Sequence, residues 1–152
     1  MKLDNSIILI VGAGPTGLML ALQLAKRDVQ FRIIDKSTGP GQASRAMAVH
    51  ARTLEFYAQL GFAEEIVEQG IISEAGHLRE NGKDFVKFDF KNMGKGLSPY
   101  PYILFYAQDD HEKFLINKLN QLGVNIEWGV SLEKITQDDE RVVTTLFKNG
   151  QE

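Results

Sequence analysis

The stretch Ile7-Ile8-Leu9-Ile10-Val11-Gly12-Ala13-Gly14-Pro15-Thr16-Gly17 decides how the rest of the chain is read. An apolar, mostly β-branched run stopped by glycine is how a short parallel strand buried on both faces looks in sequence. Downstream, Leu18, Leu20, Ala21, Leu22, Leu24 and Ala25 keep an apolar helical face as far as Lys26 and Arg27, whose charges suit the negative end of a helix dipole. Val29 to Asp35 then alternates, ends apolar, and stops in the turn-rich cluster Lys36-Ser37-Thr38-Gly39-Pro40-Gly41. A complete βαβ unit is therefore expected by Asp35. Asp28 stands where the chain leaves the helix, a place where glycine often turns it through the left-handed region, so slight local strain is expected there.

The six residues Gly12 to Gly17 lie directly between the expected strand and the expected helix, the context that gives a glycine-rich loop its meaning. Gly12 can make the tight turn, Gly14 lets the backbone come close to a diphosphate, and Gly17 lets the helix pack against the strand. The amides at the helix start, that of Thr16 included, then face the diphosphate with the helix dipole behind them. Pro15 has no N–H to offer but sets φ for the first turn. Asp35 is an acceptor-only group at the end of the second strand, placed to receive hydrogen bonds from a ribose diol, which argues for an adenosine with a free 2′-OH. Lys36, beside it, completes the cofactor-binding set read from this half of the chain. A βαβ unit alone does not separate FAD from NAD.

Beyond Asp35 the simple alternation ends. Small and apolar residues from Ser44 to Leu60 sit at mixed helical spacing, and Ala63 to Glu68 follow Gly61, so two short helices are expected. Ile71 to Phe90 changes to strand period, with Asn81-Gly82 as a hairpin turn because both residues tolerate positive φ. Such a hairpin is an excursion from the main sheet. Lys91 to Pro101 reads as a loop. Asp109 to Leu122 returns to helical spacing with Gly123 as its C-cap, and Val124 to Trp128 is expected as a third parallel strand, the helix being its crossover. Ser131 to Thr136 and Val142 to Phe147 are alternating runs, and the turn signal Asn149-Gly150 has no strand after it. The expected fold is therefore α/β: a Rossmann-like βαβ with a parallel sheet, a β-hairpin excursion, and a C-terminal β-meander that looks truncated, all in one domain over residues 1–152.

Bulk properties narrow the partners. A net charge of -3 gives no broad basic surface for nucleic acid or anionic lipid, so a small molecule is the expected ligand. Cysteine is absent, which excludes disulfides, thiolate ligands and a Cys nucleophile in this chain and fits a reducing, cytoplasmic setting. The apolar run at Ile7–Val11 is too short to span a bilayer or to serve as a signal peptide. His50, His77 and His111 lack the i, i+4 spacing of a helical zinc site, so no metal is expected. Asp109-Asp110-His111-Glu112 reads as acids facing a helix dipole rather than an acid/base cluster. Ser44 and Ser131 lack a nucleophile elbow. The aromatic stripe Phe85, Phe88 and Phe90, and Trp128, read as core.

The segment Ser44-Arg45-Ala46-Met47-Ala48-Val49-His50-Ala51-Arg52-Thr53-Leu54-Glu55 resembles the corresponding stretch of the single-component flavoprotein aromatic hydroxylases, the FAD-dependent monooxygenases related to para-hydroxybenzoate and phenol hydroxylases. Tyr106-Ala107-Gln108, the helix after it and Val124-Asn125-Ile126 are also similar to that family. The resemblance implies FAD as cofactor, with the loop glycines on its diphosphate, Asp35 on the adenosine ribose, Arg45 near the diphosphate and ribityl side, and Gln108 near the ribityl chain and flavin. Arg45 has a fixed fork of donors for phosphate oxygens, and Gln108 offers a donor and an acceptor to ribityl hydroxyls. Arg52 reads as a helix-surface residue, with a second cofactor contact as the alternative. The resemblance further implies that a complete enzyme takes reducing equivalents from NAD(P)H and uses O₂ to hydroxylate an aromatic-type substrate. The family's later Asp-Gly and Gly-Asp motifs and its substrate-holding sheet are not in this sequence, so the expectation is a cofactor-binding half, with a missing C-terminal half or an oligomeric partner to complete it. Two rivals stand beside it: an NAD(P)-dependent dehydrogenase, whose Tyr/Lys or His/Asp catalytic set is not identifiable here, and a truncated, non-catalytic remnant or subunit.

Overall fold

The computed structural model describes residues 7–41, 48–91 and 93–148. The chain divides into two compact units, the first formed by Met1–Gln42 with His111–Glu152, the second by Ala43–Asp110. No helix among the described residues is long and apolar enough to cross a membrane.

The first unit is built on the expected βαβ. β1 (Ile8–Val11) leads through the glycine loop into α1 (Pro15–Ala25) and back into β2 (Phe31–Asp35). β1 and β2 pair in parallel, Ile10 opposite Ile33 and Val11 opposite Ile34. Leu18, Ala21 and Leu22 are the buried stripe of α1, lying in one core with Ile10, Ile33 and Ile34, while Leu20 falls off that stripe and is exposed. Arg27 Nη1 donates to the carbonyl of Gln23 at 2.9 Å, so the basic end of the helix satisfies one of its last-turn acceptors. β1 departs from the expectation of burial on both faces: Ile8 is 43% exposed and Val11 53%. β1 is the edge of the described sheet, and Ile10 is its one buried residue.

The exit from α1 is a Schellman motif. Val29 N–H donates to Leu24 O at 3.1 Å and Asp28 N–H to Ala25 O at 3.2 Å, with Asp28 at φ +54°. The same pair of bonds closes two other helices around glycines. Gly61, at φ +86°, ends α2 (Ala51–Leu60) in the second unit, and Gly123, at φ +76°, ends the helix Gln108–Gln121. Asp28 therefore carries the strain expected of a side chain at a glycine position.

In the second unit α3 (Ala63–Gln69) follows α2, and both helices pack Leu54, Tyr57, Leu60, Phe62, Ala63 and Ile66 into a local core. The expected helix from Ser44 is shorter than its spacing suggested. Ala48 and Val49 are instead a strand, β3, paired antiparallel with β7 (Ile103–Phe105), which also takes β4 (Ile71–Ser73) on its other edge. Tertiary pairing overrides local periodicity here, Val49 and Leu104 being buried opposite one another. Residues 42–47 lie outside the described set. Hairpin β5 (Ala75–Glu80) and β6 (Lys83–Asp89) turns at Asn81, φ +50°, and Gly82, φ +78°, as the Asn-Gly pair demands.

The aromatic stripe on this hairpin is not core. Phe85 is 74% exposed and Phe88 is exposed as well, while Phe88 and Phe90 stack with ring centroids 6.2 Å apart. A strand of period two puts Phe85 on the face opposite to Phe88, and a two-stranded ribbon has no second layer to bury either face.

The helix Gln108–Gln121 is α4. It leads to β8 (Glu127–Trp128), which pairs in parallel with β2 and gives a three-stranded parallel sheet in the order β1-β2-β8. The third strand is thus present but shorter than the run from Val124 suggested. Trp128 is half-buried rather than core, because it stands at the sheet's edge opposite Asp35. A fork from Arg32 Nε and Nη2 to both Glu127 carboxylate oxygens, 2.7 and 2.8 Å, ties β2 to β8. Its two side chains are half-exposed, so its contribution stays within about 1 kcal/mol. β9 (Val130–Gln137) and β10 (Val142–Lys148) form the expected antiparallel hairpin, and the α/β architecture with its parallel sheet stands as read from the sequence.

Replacing Asp28 with glycine should raise stability by about 0.5–1 kcal/mol, since it removes the left-handed penalty at the Schellman position. A thermal melt of D28G should show a midpoint about 1–4 °C higher; a lower midpoint would mean that Asp28 is not strained.

Candidate dinucleotide site

The loop after β1 is fixed by backbone bonds and by one carboxylate. Gly12 N–H donates to Ile34 O at 2.8 Å, which carries the β1–β2 ladder one step past the strand. Gly12 then turns at φ +106°, a conformation that L side chains rarely adopt. Gly17 is required for a different reason: a Cβ on it would lie 2.0 Å from Gly12 O and 3.1 Å from Gly12 C, so a side chain there would drive the helix off the turn.

Gly14 has neither constraint. As N-cap of α1 it sits at φ -77°, ψ 178°, ordinary extended backbone for any residue. A Cβ on it would meet nothing within 4 Å. The glycine leaves open space directly in front of the helix N-terminus. Among the described residues no side chain caps that terminus, and its first turn carries no acid. Pro15 has no N–H, Leu18 N–H is taken by Gly14 O at 2.9 Å, and the amides of Thr16 and Gly17 fall in the first turn, where the helix itself supplies no acceptor. An approach free of side chains, first-turn amides and a positive dipole end without an acidic side chain are the features an anionic diphosphate needs.

Asp35 closes the loop from the side. Its Oδ2 accepts Ala13 N–H at 2.7 Å and its Oδ1 accepts Ser37 N–H at 2.8 Å. Partial burial works against its charge. That effect is outweighed by the amides of Ala13 and Ser37, the Ser37 hydroxyl and the charge of Lys36, which together hold its carboxyl below the ordinary range. The sequence pointed to Asp35 as a ribose acceptor and missed this second task, because backbone donors leave no signature in a sequence. Three donors, the amides of Ala13 and Ser37 and the Ser37 hydroxyl, leave one of the roughly four lone-pair sites of the carboxylate, so clamping the loop and accepting a ribose hydroxyl are compatible.

Of the residues singled out from sequence, Gly12, Gly14, Thr16, Gly17, Asp35 and Lys36 come together in the first unit, Thr16 and Lys36 exposed at its surface. Gln108 is the first residue of α4, half-buried, in the second unit. Arg45 lies outside the described residues. Arg52 is a surface residue of α2, as expected: it pairs with Glu55 at 2.8 Å and lies over the Phe56 ring, 4.5 Å from the centroid. The run Asp109-Asp110-His111-Glu112 divides. Asp109 and Asp110 are in the first turn of α4, where acids were expected, whereas His111 and Glu112 are buried. Burial holds His111 below the usual imidazole range.

Strand, glycine turn, helix, parallel strand and terminal acid in this geometry define a dinucleotide-binding domain of the βαβ class. The comparisons with known proteins say which kind. Residues 5–152 match the family model described as FAD binding domain, and the chain belongs to that family. It is 42% identical over 149 residues to 6-methylpretetramide 4-monooxygenase of Streptomyces rimosus, covering 97% of this chain and 26% of that protein. To pentachlorophenol 4-monooxygenase of Sphingobium chlorophenolicum it is 32% identical over 149 residues, covering 96% and 27%. Among solved structures, p-nitrophenol 4-monooxygenase of Pseudomonas putida superposes with a TM-score of 0.86 at 27% identity, over 95% of this chain and 37% of that one. Aklavinone-11 hydroxylase, solved with FAD and aklavinone, gives 0.84 at 25% identity, over 98% and 31%. The chain thus spans about a quarter of the length of these curated relatives. The family match and the named relatives favour FAD, and the dehydrogenase alternative is not supported.

The lowered carboxyl of Asp35 fixes a pH signature. A carboxylate whose folded pKa lies below its unfolded value of about 3.9 stabilises the fold fully above that value, and loses the contribution as pH falls through the folded pKa. Asp35→Asn should therefore cost about 1–2 kcal/mol at pH 7, and the gap to wild type should close as pH drops below about 4. Urea unfolding of both proteins across pH checks this; a gap independent of pH would show that the charge of Asp35 does not hold the loop.

Proposed function

We propose that this chain is the FAD-holding part of an NAD(P)H- and O₂-dependent monooxygenase that hydroxylates an aromatic-type small molecule in the cytoplasm. The observation that carries the reading is Gly14, a glycine that neither its backbone angles nor its neighbours require, opening onto uncapped amides. Family membership supports FAD as the group that fills the opening. The two units act as one FAD-binding domain, a reading supported by a family match that runs through both.

In this proposal the first-turn amides of Thr16 and Gly17 hold the diphosphate, Gly12 and Gly17 hold the turn in shape, and Asp35 with Lys36 receives the adenosine end. Arg45 serves the diphosphate and ribityl side, and Gln108 the ribityl chain and flavin. The redox chemistry, reduction by NAD(P)H and activation of O₂, would come from the bound flavin. No residue of this chain is assigned as a catalytic acid or base. The aromatic substrate is supported by relatives named for pentachlorophenol and 6-methylpretetramide. Their greater length supports a further element of the reading, that substrate binding and turnover depend on polypeptide outside this chain, or on a partner.

Gly14→Ser tests the site without harming the fold. Serine is at least as good an N-cap as glycine, so the melting midpoint of the apo-protein should hold or rise slightly. The same side chain enters the space assigned to the diphosphate, so FAD affinity, followed by flavin fluorescence, should fall at least tenfold, about 1.4 kcal/mol. Unchanged FAD affinity in G14S, or wild-type protein that binds NAD tightly and retains no flavin, would overturn the proposal.

A further inference from the structure

Glu112 has a place that the diphosphate loop does not explain. It lies in the second turn of α4 and is only 8% exposed, one of three buried polar or charged residues among those described, with Ser73 and His111. Burying a carboxylate is costly unless donors meet it. One donor is the amide of Gly41, 71 residues away in sequence, whose N–H reaches Glu112 Oε2 at 3.3 Å. Gly41 leaves room for that approach, since a Cβ on it would lie 3.2 Å from the same oxygen.

The segment from Lys36 to Gly41 is thereby held at three points. Ser37 N–H is bound by Asp35 Oδ1 at 2.8 Å, Ser37 O accepts Gly129 N–H at 2.9 Å, and Gly41 N–H goes to Glu112. The first two fix only its beginning. Thr38-Gly39-Pro40-Gly41 contains two glycines, and among the described residues the bond to Glu112 is what ties its far end. We infer that Glu112 is a positioning residue for the adenosine end of the dinucleotide site: by anchoring Gly41 it keeps the whole segment, Lys36 and Ser37 included, in register beside Asp35. The inference rests on the FAD reading above.

The test uses Glu112→Ala, Glu112→Asp, which keeps the charge but is one methylene too short, and Glu112→Gln, which keeps an acceptor oxygen at full length. Two quantities are read: hydrogen exchange at the Gly41 amide, and affinity for FAD and for ADP, which carries the adenosine diphosphate without the flavin. E112A and E112D should expose the Gly41 amide and weaken FAD and ADP by the same factor, about tenfold, while E112Q restores most of both. Should E112A fail to fold, E112D gives the same answer. Full affinity in E112D with the Gly41 amide exposed would overturn the inference. So would a loss that E112Q does not rescue, which would show that Glu112 acts through something other than its bond to Gly41. Wild-type protein that binds neither FAD nor ADP would instead sink the underlying site, a result read before any variant is compared.

Discussion

The site depends on one carboxylate clamping two amides. Asp35, at the last position of β2, holds Ala13 in the glycine loop with one oxygen and Ser37 in the next segment with the other. The two loops that follow the parallel strands are therefore joined at the carboxyl end of the sheet, where ligands bind in folds of this kind. Hydrogen bonds to a charged acceptor are about twice as strong as neutral ones, and here they restrain backbone that has no ladder to restrain it. The Gly12 amide bond to Ile34 O sits one residue away on each chain and makes the clamp continuous with the sheet.

Around that clamp the three glycines divide the work. Gly12 is demanded by its backbone angle and Gly17 by the carbonyl of Gly12, so both serve the shape of the turn. Gly14 is demanded by neither, and what remains is the space before α1. A glycine that the apo-fold does not need, set before a helix start with no side-chain cap, points to a ligand there. It also explains why the loop reads as generic in sequence: the pattern mixes two structural glycines with one functional glycine, and only coordinates separate them.

Much of the architecture was legible because it rests on long periodic elements or on residues with unusual backbone freedom. α4, the β9–β10 hairpin and the βαβ unit announce themselves by spacing, Asn81-Gly82 by its tolerance of positive φ, and Asp28 by standing where glycine belongs. β3 and β7 were not legible, since two or three residues carry no period; β4 fell in the strand-period run from Ile71, but its pairing with β7, set by contacts far along the chain, did not show. The exposure of β1 and of Phe85 and Phe88 eluded the sequence for a related reason: apolar composition says that a residue can be buried, not that a neighbour is there to bury it. In the site, the glycines and Asp35 were legible as a pattern of residue types. The bonds of Asp35 to Ala13 and of Glu112 to Gly41 were not, because their donors are backbone amides.

The central claim is that the first-turn amides of α1 hold a diphosphate. Hydrogen exchange at the Thr16 and Gly17 amides, with and without saturating FAD, tests it most directly. Both amides should exchange readily in the apo-protein, where the helix gives them no acceptor, and both should become strongly protected when FAD binds. FAD binding that leaves the exchange of both amides unchanged would place the cofactor elsewhere and contradict the account.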